Sequence, residues 1–389
     1  MLKKIIAFAF LIIVSFNLNS QENNSSWWKK NTSFTGYIKY LNTTTFKNFN
    51  FTFIDNQIHN RINFKAYISN NITFDLQIRN RFLWGQSLQI PNFKKFINTE
   101  NDIDLSIFLI DKSGLLLHSK IDRLSLTYNY GDWEFKAGRQ RINWGKTWAW
   151  NTNDLFNAYN FLDFDYEERP GSDALGIQYN YGESSAIQAV YSYSKDFDKT
   201  IIAFRSQFNI KTYDIQLIAA KYYKDIALGI GWEGYLWNAD FKGETTVFIP
   251  QKDAINSKTS LLSSISVDYF FKNGFMLIGN ILYKSNGITD FNDFDFNYFL
   301  SESLTAKNLM PNRLSYLLQG TYQINPQSSA TMGIMLMQEL PAIGLLPSYS
   351  YNLAENWDLD FFGQLFFGNQ NDKFKNIQNG IYLRLRRSY

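Results

Sequence analysis

A side-chain period of two runs through this chain from near its N-terminus to its last residue. In one segment Ile58, Ile62, Phe64, Ala66 and Ile68 fall on one side, and His59, Arg61, Asn63, Lys65 and Tyr67 on the other. After Ser69, Asn70 and Asn71, Ile72, Phe74, Leu76 and Ile78 alternate with Thr73, Asp75, Gln77 and Arg79. Such alternation places successive side chains on opposite faces of a β-strand. An amphipathic strand serves either a soluble sheet or a membrane barrel with lipid outside and a wet interior. The pattern repeats too often here for a soluble sheet and predicts the barrel.

Composition agrees. Aromatic residues make up 18% of the chain, while mean hydropathy is only −0.28. Outer-membrane barrels carry girdles of aromatics at both interfaces and are polar inside, so the two values belong together in that class. No stretch after the N-terminus is apolar enough for a spanning helix, which needs about 18 to 20 such residues.

Lys3 and Lys4, the apolar run from Ile5 to Phe16 and the polar exit from Asn17 to Ser20 predict a secretory signal over residues 1–20, cleaved after Ser20. The other reading, a membrane anchor, is disfavoured because the apolar run is too short. The absence of cysteine excludes lipoprotein anchoring, disulfides and thiolate metal sites. The chain carries 38 basic and 35 acidic residues. Loss of Lys3 and Lys4 with the signal brings the two signs almost into balance, which gives no sign of a nucleic-acid surface.

Paired segments join through tight polar turns. Leu124, Leu126 and Tyr128 turn at Gly131 and Asp132 into Trp133, Phe135 and Ala137. Leu175, Ile177 and Tyr179 pair across Gly182 to Ser184 with Ile187, Ala189 and Tyr191. Phe204, Phe208 and Ile210 pair across Lys211 and Thr212 with Tyr213, Ile215 and Leu217. Further turns are expected at Asn238, Lys272 to Gly274, Asn325 to Gln327 and Ala354 to Asn356. With a first strand at Ser33 to Asn42 and a last at Asn379 to Tyr389, the expectation is an all-β fold: a transmembrane antiparallel β-barrel of about 18 strands, with about 16 as the alternative. Residues 21–32 would form a short periplasmic N-terminal segment with no room for a plug domain, and 33–389 a single barrel domain.

The final strand separates its faces most cleanly. Ile381, Leu383 and Leu385 oppose Tyr382, Arg384 and Arg386. Burying these arginines in a soluble core would cost several kcal/mol each unless paired, whereas a wet lumen accepts them. The aromatic end at Tyr389 resembles the C-terminal insertion signal of bacterial outer-membrane proteins, which implies the barrel-insertion machinery as a partner.

One stretch breaks the alternation. It holds Arg139, Arg141, Trp144, Lys146, Trp148 and Trp150, then Tyr159, Asp163, Asp165, Tyr166, Glu167 and Glu168. The run from Gly138 to Gly145, GRQRINWG, followed by this aromatic and acidic loop, resembles porin-like outer-membrane barrels of the alginate-export kind and related uncharacterised families. The match is confined to this stretch, and the rest of the alginate-export pattern is absent. The resemblance implies an outer-membrane channel and supplies no substrate.

A loop of this length after a strand can fold into the lumen and narrow it. Rings of charge in a constriction set ion preference, and aromatic faces offer apolar patches to sugars or acyl chains. Arg139, Arg141 and Lys146 are the candidate positive side of a constriction, Asp163, Asp165, Glu167 and Glu168 the negative side. Trp144, Trp148, Trp150, Tyr159 and Tyr166 are the candidate contact platform. The alternative stays open: the charges form a salt-bridge network that holds the loop, and the tryptophans belong to the interfacial belt. Arg61, Lys65, Arg79, Arg384 and Arg386 add lumen charges beside the closure seam and predict an electropositive wall.

The stretches from Gly85 to Gly114 and from Ser285 to Met310 are expected as external loops. The second carries Asp290, Asp293, Asp295 and Glu302, read as a solvated acidic loop in preference to a calcium site because the EF-hand spacing is missing. Only His59 and His118 could act as imidazole bases. His59 falls on a polar strand face, and His118 falls next to Ser119 near the end of a loop. Nucleotide-loop, hydrolase-elbow and zincin motifs are absent.

The expected function is therefore a non-enzymatic porin-like channel, without metal or cofactor, in the outer membrane of a Gram-negative bacterium. Small hydrophilic solutes, anionic ones favoured, would diffuse through it. The alternatives are a selective barrel for sugars or hydrophobic compounds and a non-conducting adhesion or assembly barrel. Outer-membrane lipid is the expected surrounding, and both a homotrimer and a monomer fit the strands.

Overall fold

The computed structural model describes residues 27–47, 50–90, 93–97, 102–158, 162, 168, 170–251, 258–289, 304–340, 342–370 and 373–389. The expected signal segment lies outside the described residues. A short helix, Trp27–Asn31, precedes the first strand.

The chain runs through β1 (Thr32–Lys47), β2 (Asn50–Tyr67), β3 (Ile72–Gly85), β4 (Ser106–Lys112), β5 (Leu115–Tyr130) and β6 (Trp133–Gln140). It continues with β7 (Ser172–Asn180), β8 (Ala186–Ser192), β9 (Ile201–Ile210), β10 (Tyr213–Tyr222), β11 (Asp225–Leu236), β12 (Ala239–Pro250) and β13 (Ser260–Phe270). It ends with β14 (Phe275–Lys284), β15 (Leu314–Asn325), β16 (Ser328–Met337), β17 (Ala342–Ala354), β18 (Trp357–Gln370) and β19 (Lys373–Ser388). β4 pairs with β5 alone, so 18 of the 19 strands form the wall. Neighbours are antiparallel throughout, and β19 closes the ring on β1 with Tyr37 opposite Ser388 and Phe46 opposite Asn379. Closure removes the free edges of the wall strands, which hydrocarbon would penalise heavily; among the described residues β4, paired on one side alone, keeps one.

Tight turns lie at the end that also holds Thr32 and Ser388: 68–71, 131–132, 181–185, 211–212, 237–238, 271–274, 326–327 and 355–356. Two-residue hairpins need left-handed backbone, supplied by Gly131 at φ 56°, by Asn356, which tolerates it well, and, against their intrinsic preference, by Lys211 and Trp237. Tyr130, Tyr235, Trp237, Phe270 and Trp357 are exposed around this rim, as an aromatic belt requires. At the seam the Tyr389 hydroxyl donates to the Arg61 carbonyl at 3.1 Å and accepts from Asn60 Nδ2 at 3.1 Å. Its ring stacks on Phe34.

The apolar faces point outward. On β11 Ile226, Leu228 and Ile230 are exposed, while Asp225 and Ala227 on the other face are buried. Ile265 and Val267 on β13 are exposed between the buried Ser264, Ser266 and Asp268. Such an inverted partition is stable in lipid and would be unstable in water.

The interior departs from the expected wet lumen over half of its circumference. Val190, Ile218, Phe248, Leu262, Leu282, Leu317 and Met335 face inward and join one apolar cluster with Trp144, Trp150, Leu155, Leu309 and Met310. The last two come from the connection between β14 and β15. The described part of the stretch from Ser285 to Met310 therefore packs inward near its end, contrary to its reading as a solvated loop, because Ala306, Leu309 and Met310 give it an apolar face. Its acids Asp290, Asp293, Asp295 and Glu302 lie outside the described residues. The stretch from Gly85 to Gly114 likewise contains structure of its own: a helix, Phe93–Ile97, and β4. His118 lies within β5 and is not a loop residue. The run Leu115 to Leu117 conceals the strand's alternation in the sequence.

Candidate functional site in the barrel lumen

One wall of the lumen is basic. Registry places Arg386, Lys39, His59, Arg81 and His118 in a row across β19, β1, β2, β3 and β5. Arg61, Arg79 and Lys120 form the next row. A bulge in β5 leaves Asp122 unpaired between Ile121 and Arg123, and its carboxylate turns to the arginines. Arg61 Nη1 lies 2.8 Å and Arg79 Nε 3.2 Å from Asp122 Oδ2. Glu168 from the inserted loop takes Arg61 Nη2 at 2.8 Å and Arg123 Nη2 at 3.6 Å. Arg384 Nε meets Asp360 at 2.9 Å, and the Arg386 guanidinium sits 4.6 Å above the Tyr37 ring.

Lys39, Arg61, Lys65, Arg79, Arg81, Lys120, Arg123, Arg384 and Arg386 thus face Asp55, Asp75, Asp122, Glu168, Asp358 and Asp360, so cations outnumber acids on this wall among the described residues. Half a circumference away, β12 is nine strands from β2 in either direction. Here Asp214, Glu233, Asp240 and Asp268 surround Lys242 and Lys146, with contacts of 3.2 Å from Lys146 to Glu233 and 3.4 Å from Lys242 to Glu233. The excess charge on the two sides has opposite sign.

After β6 the chain leaves the wall and lies across the inner face of β8 to β14. Trp144 Nε1 donates to Gln188 at 2.7 Å, and Gln216 donates to the Trp144 carbonyl at 2.7 Å. The Ala149 N–H reaches Asn280 Oδ1 at 3.0 Å. On the return, Thr246 donates to the Thr152 carbonyl at 2.8 Å and Asn153 Nδ2 to the Ile230 carbonyl at 3.0 Å. Gly229 and Gly231 leave the β11 wall bare beneath Asn153. A Cβ at Gly229 would come within 2.6 Å of its Oδ1. Asn157 then donates to the Ile142 carbonyl at 3.1 Å and closes the excursion.

The barrel has solved counterparts. OprD, an outer membrane protein of Pseudomonas aeruginosa, is similar with a TM-score of 0.58 at 8% identity, over 92% of this chain and 93% of that one. The fold is that of an outer-membrane porin-like barrel. OccAB4 of Acinetobacter baumannii has a TM-score of 0.58 at 8% identity, over 96% of this chain and 100% of its own. OccK5 (OpdH) of Pseudomonas aeruginosa has 0.58 at 7% identity, over 92% and 99%. No protein-family model matches the sequence, and no curated protein is similar to it.

Within this porin-like barrel the candidate residues separate. Arg139, expected at a constriction, is buried and consumed by structure: it holds Asp173 through Nε and Nη2, both at 2.8 Å, and donates to the Ile121 and Ile103 carbonyls. It fastens the end of β6 where the chain departs, so the salt-bridge alternative applies to it. Lys146 pairs with Glu233 in the lumen. Arg141 is exposed and forms no ion pair with any described residue. Trp144 and Trp150 are 2% exposed and belong to the apolar cluster, which corrects their reading as platform residues. Trp148, at 40%, is the tryptophan the loop exposes. Arg61, Lys65, Arg79, Arg384 and Arg386 lie on the inner faces of β2, β3 and β19. Tyr159, Asp163, Asp165, Tyr166 and Glu167 lie outside the described residues. Sequence reasoning did not name Lys39, Arg81 and Lys120, and set Arg123 on a polar strand face without counting it among the lumen charges. Arg81 continues the polar phase of Arg79 and could have been read from it, whereas the bulge at Asp122 puts Lys120 out of phase with Arg123, Ser125 and Thr127.

Proposed function

We propose that the protein is a porin-like channel of the Gram-negative outer membrane that passes small hydrophilic solutes and favours anionic ones. The observation that carries this reading is the surplus of cations on the wall from β19 to β5. Solutes would move between that wall and the exposed edge of the inserted loop, where Arg141, Asn143 and Trp148 stand. Charged pore walls set the preferred sign of the permeant ion. The reading involves diffusion alone and no enzymatic step, cofactor or metal. It includes export by the signal segment 1–20, insertion through the strand ending in Tyr389, and assembly as a single barrel or a homotrimer in outer-membrane lipid.

Reconstitution in planar bilayers under a salt gradient tests it. The reversal potential is expected to report anion preference, reduced by the charge reversal K120E. Strong cation preference would overturn the reading. Absence of any conductance would favour the occluded adhesion or assembly barrel instead, a reading that draws on the packed apolar half of the lumen.

A further inference from the structure

We propose that Glu244 is the positioning residue that holds the inserted loop in the lumen and thereby sets the bore, an inference that rests on the channel reading. Glu244 lies on the inner face of β12 and is fully buried. Its Oε1 accepts the backbone N–H groups of Lys146 and of Thr147, the latter at 2.7 Å, and the Thr147 hydroxyl at 3.3 Å. Its Oε2 accepts the Asn153 N–H at 2.8 Å. One side chain therefore grips both the outgoing and the returning limb of the loop.

The grip is on the loop's backbone. The Lys146 ammonium goes to Glu233, while its backbone N–H, with those of Thr147 and Asn153, points at the Glu244 carboxylate. A carboxylate is the side chain with acceptors on both oxygens, and charge-assisted bonds of this kind are the stronger class. In Gln the amide would turn N–H toward N–H at one limb or the other. In Asp both acceptors would be withdrawn by a methylene. Thr246, Ser264 and Asn280 beside Glu244 bind the loop through neutral groups at Thr152, Thr147 and Ala149. They complete the seat, while Glu244 alone spans its two limbs among these bonds.

The cysteine-free chain permits a direct test on the full mature protein in planar bilayers. E244Q is expected to lose the single wild-type conductance level and to fluctuate among shifted levels. Thr152 and Thr246 have hydroxyl oxygens 3.3 Å apart, so T152C and T246C introduced together into E244Q should re-pin the loop by a disulfide, formation being read as loss of titratable thiol. Oxidised, the triple variant should return to the wild-type level; reduced, it should fluctuate again. Wild-type conductance and solute preference in E244Q would overturn the proposal, as would an oxidised triple variant that still fluctuates. Should E244Q show no folded band on unheated gels, E244D is read in the same way, and a wild-type trace from it overturns the proposal. A silent wild-type protein would instead refute the channel reading itself.

Discussion

Three tryptophans within seven residues of one loop have opposite fates, and the difference is set by what each ring touches. Trp144 stands edge-on to Phe156, with ring centroids 5.0 Å apart, and its N–H is held by Gln188. Trp150 is buried in the same cluster, and Trp148 projects from it. Replacing Trp144 with alanine removes packing and opens a cavity, a loss of about 3 to 5 kcal/mol in cores of this kind. W144A should therefore convert from the folded to the unfolded gel band at a clearly lower temperature. W148A should keep the wild-type transition and alter liposome uptake of sugars and aromatic solutes. Unchanged uptake of every solute by W148A would remove Trp148 from the permeation path.

At the scale of elements, the departure of the chain from the wall after β6 decides the shape of the lumen. Gly138, at φ 111°, takes a backbone conformation that side chains disfavour, and β6 stops two residues later. Beyond that point β4 takes the place beside β5, its Ser106 opposite Lys120. Arg139 ties the junction to β7 through Asp173 and to two carbonyls. Removing one partner of a buried ion pair strands the other and costs about 3 to 5 kcal/mol. R139A should lower stability toward denaturant by an amount of that order, and R139K should recover only part of it, since lysine lacks the planar fork that meets Asp173 twice. An R139A barrel as stable as wild type would show that the junction is held elsewhere.

For the molecule as a whole, the decisive property is the separation of three environments: lipid outside, a packed apolar core along β7 to β17 inside, and a charged wall from β19 to β5. The charged wall acts on solutes across a gap, so its effect depends on screening. The Debye length falls from about 10 Å at 0.1 M salt to about 3 Å at 1 M. Anion preference measured by reversal potential should therefore weaken steeply over that range. A preference independent of salt would place selectivity in a narrow contact site, with the general field of the wall contributing little.

Much of this architecture was legible in the chain before any coordinates. The alternation of Ile226, Leu228 and Ile230 with Ala227 and Gly229, or of Ile381, Leu383 and Leu385 with Arg384 and Arg386, follows from the two-residue period of a strand, which is local. Strand number, turn positions and the inward direction of Arg61, Arg79 and Arg384 came from the same period. Which tryptophans are buried, which arginines are fasteners, and which half of the lumen is filled depended on contacts between residues far apart in sequence. Trp144 meets Gln188, Glu244 grips Thr147 and Asn153, and Met310 joins Leu155 in one cluster. A periodic pattern states which face a side chain takes, and only the closed ring states what lies across from it.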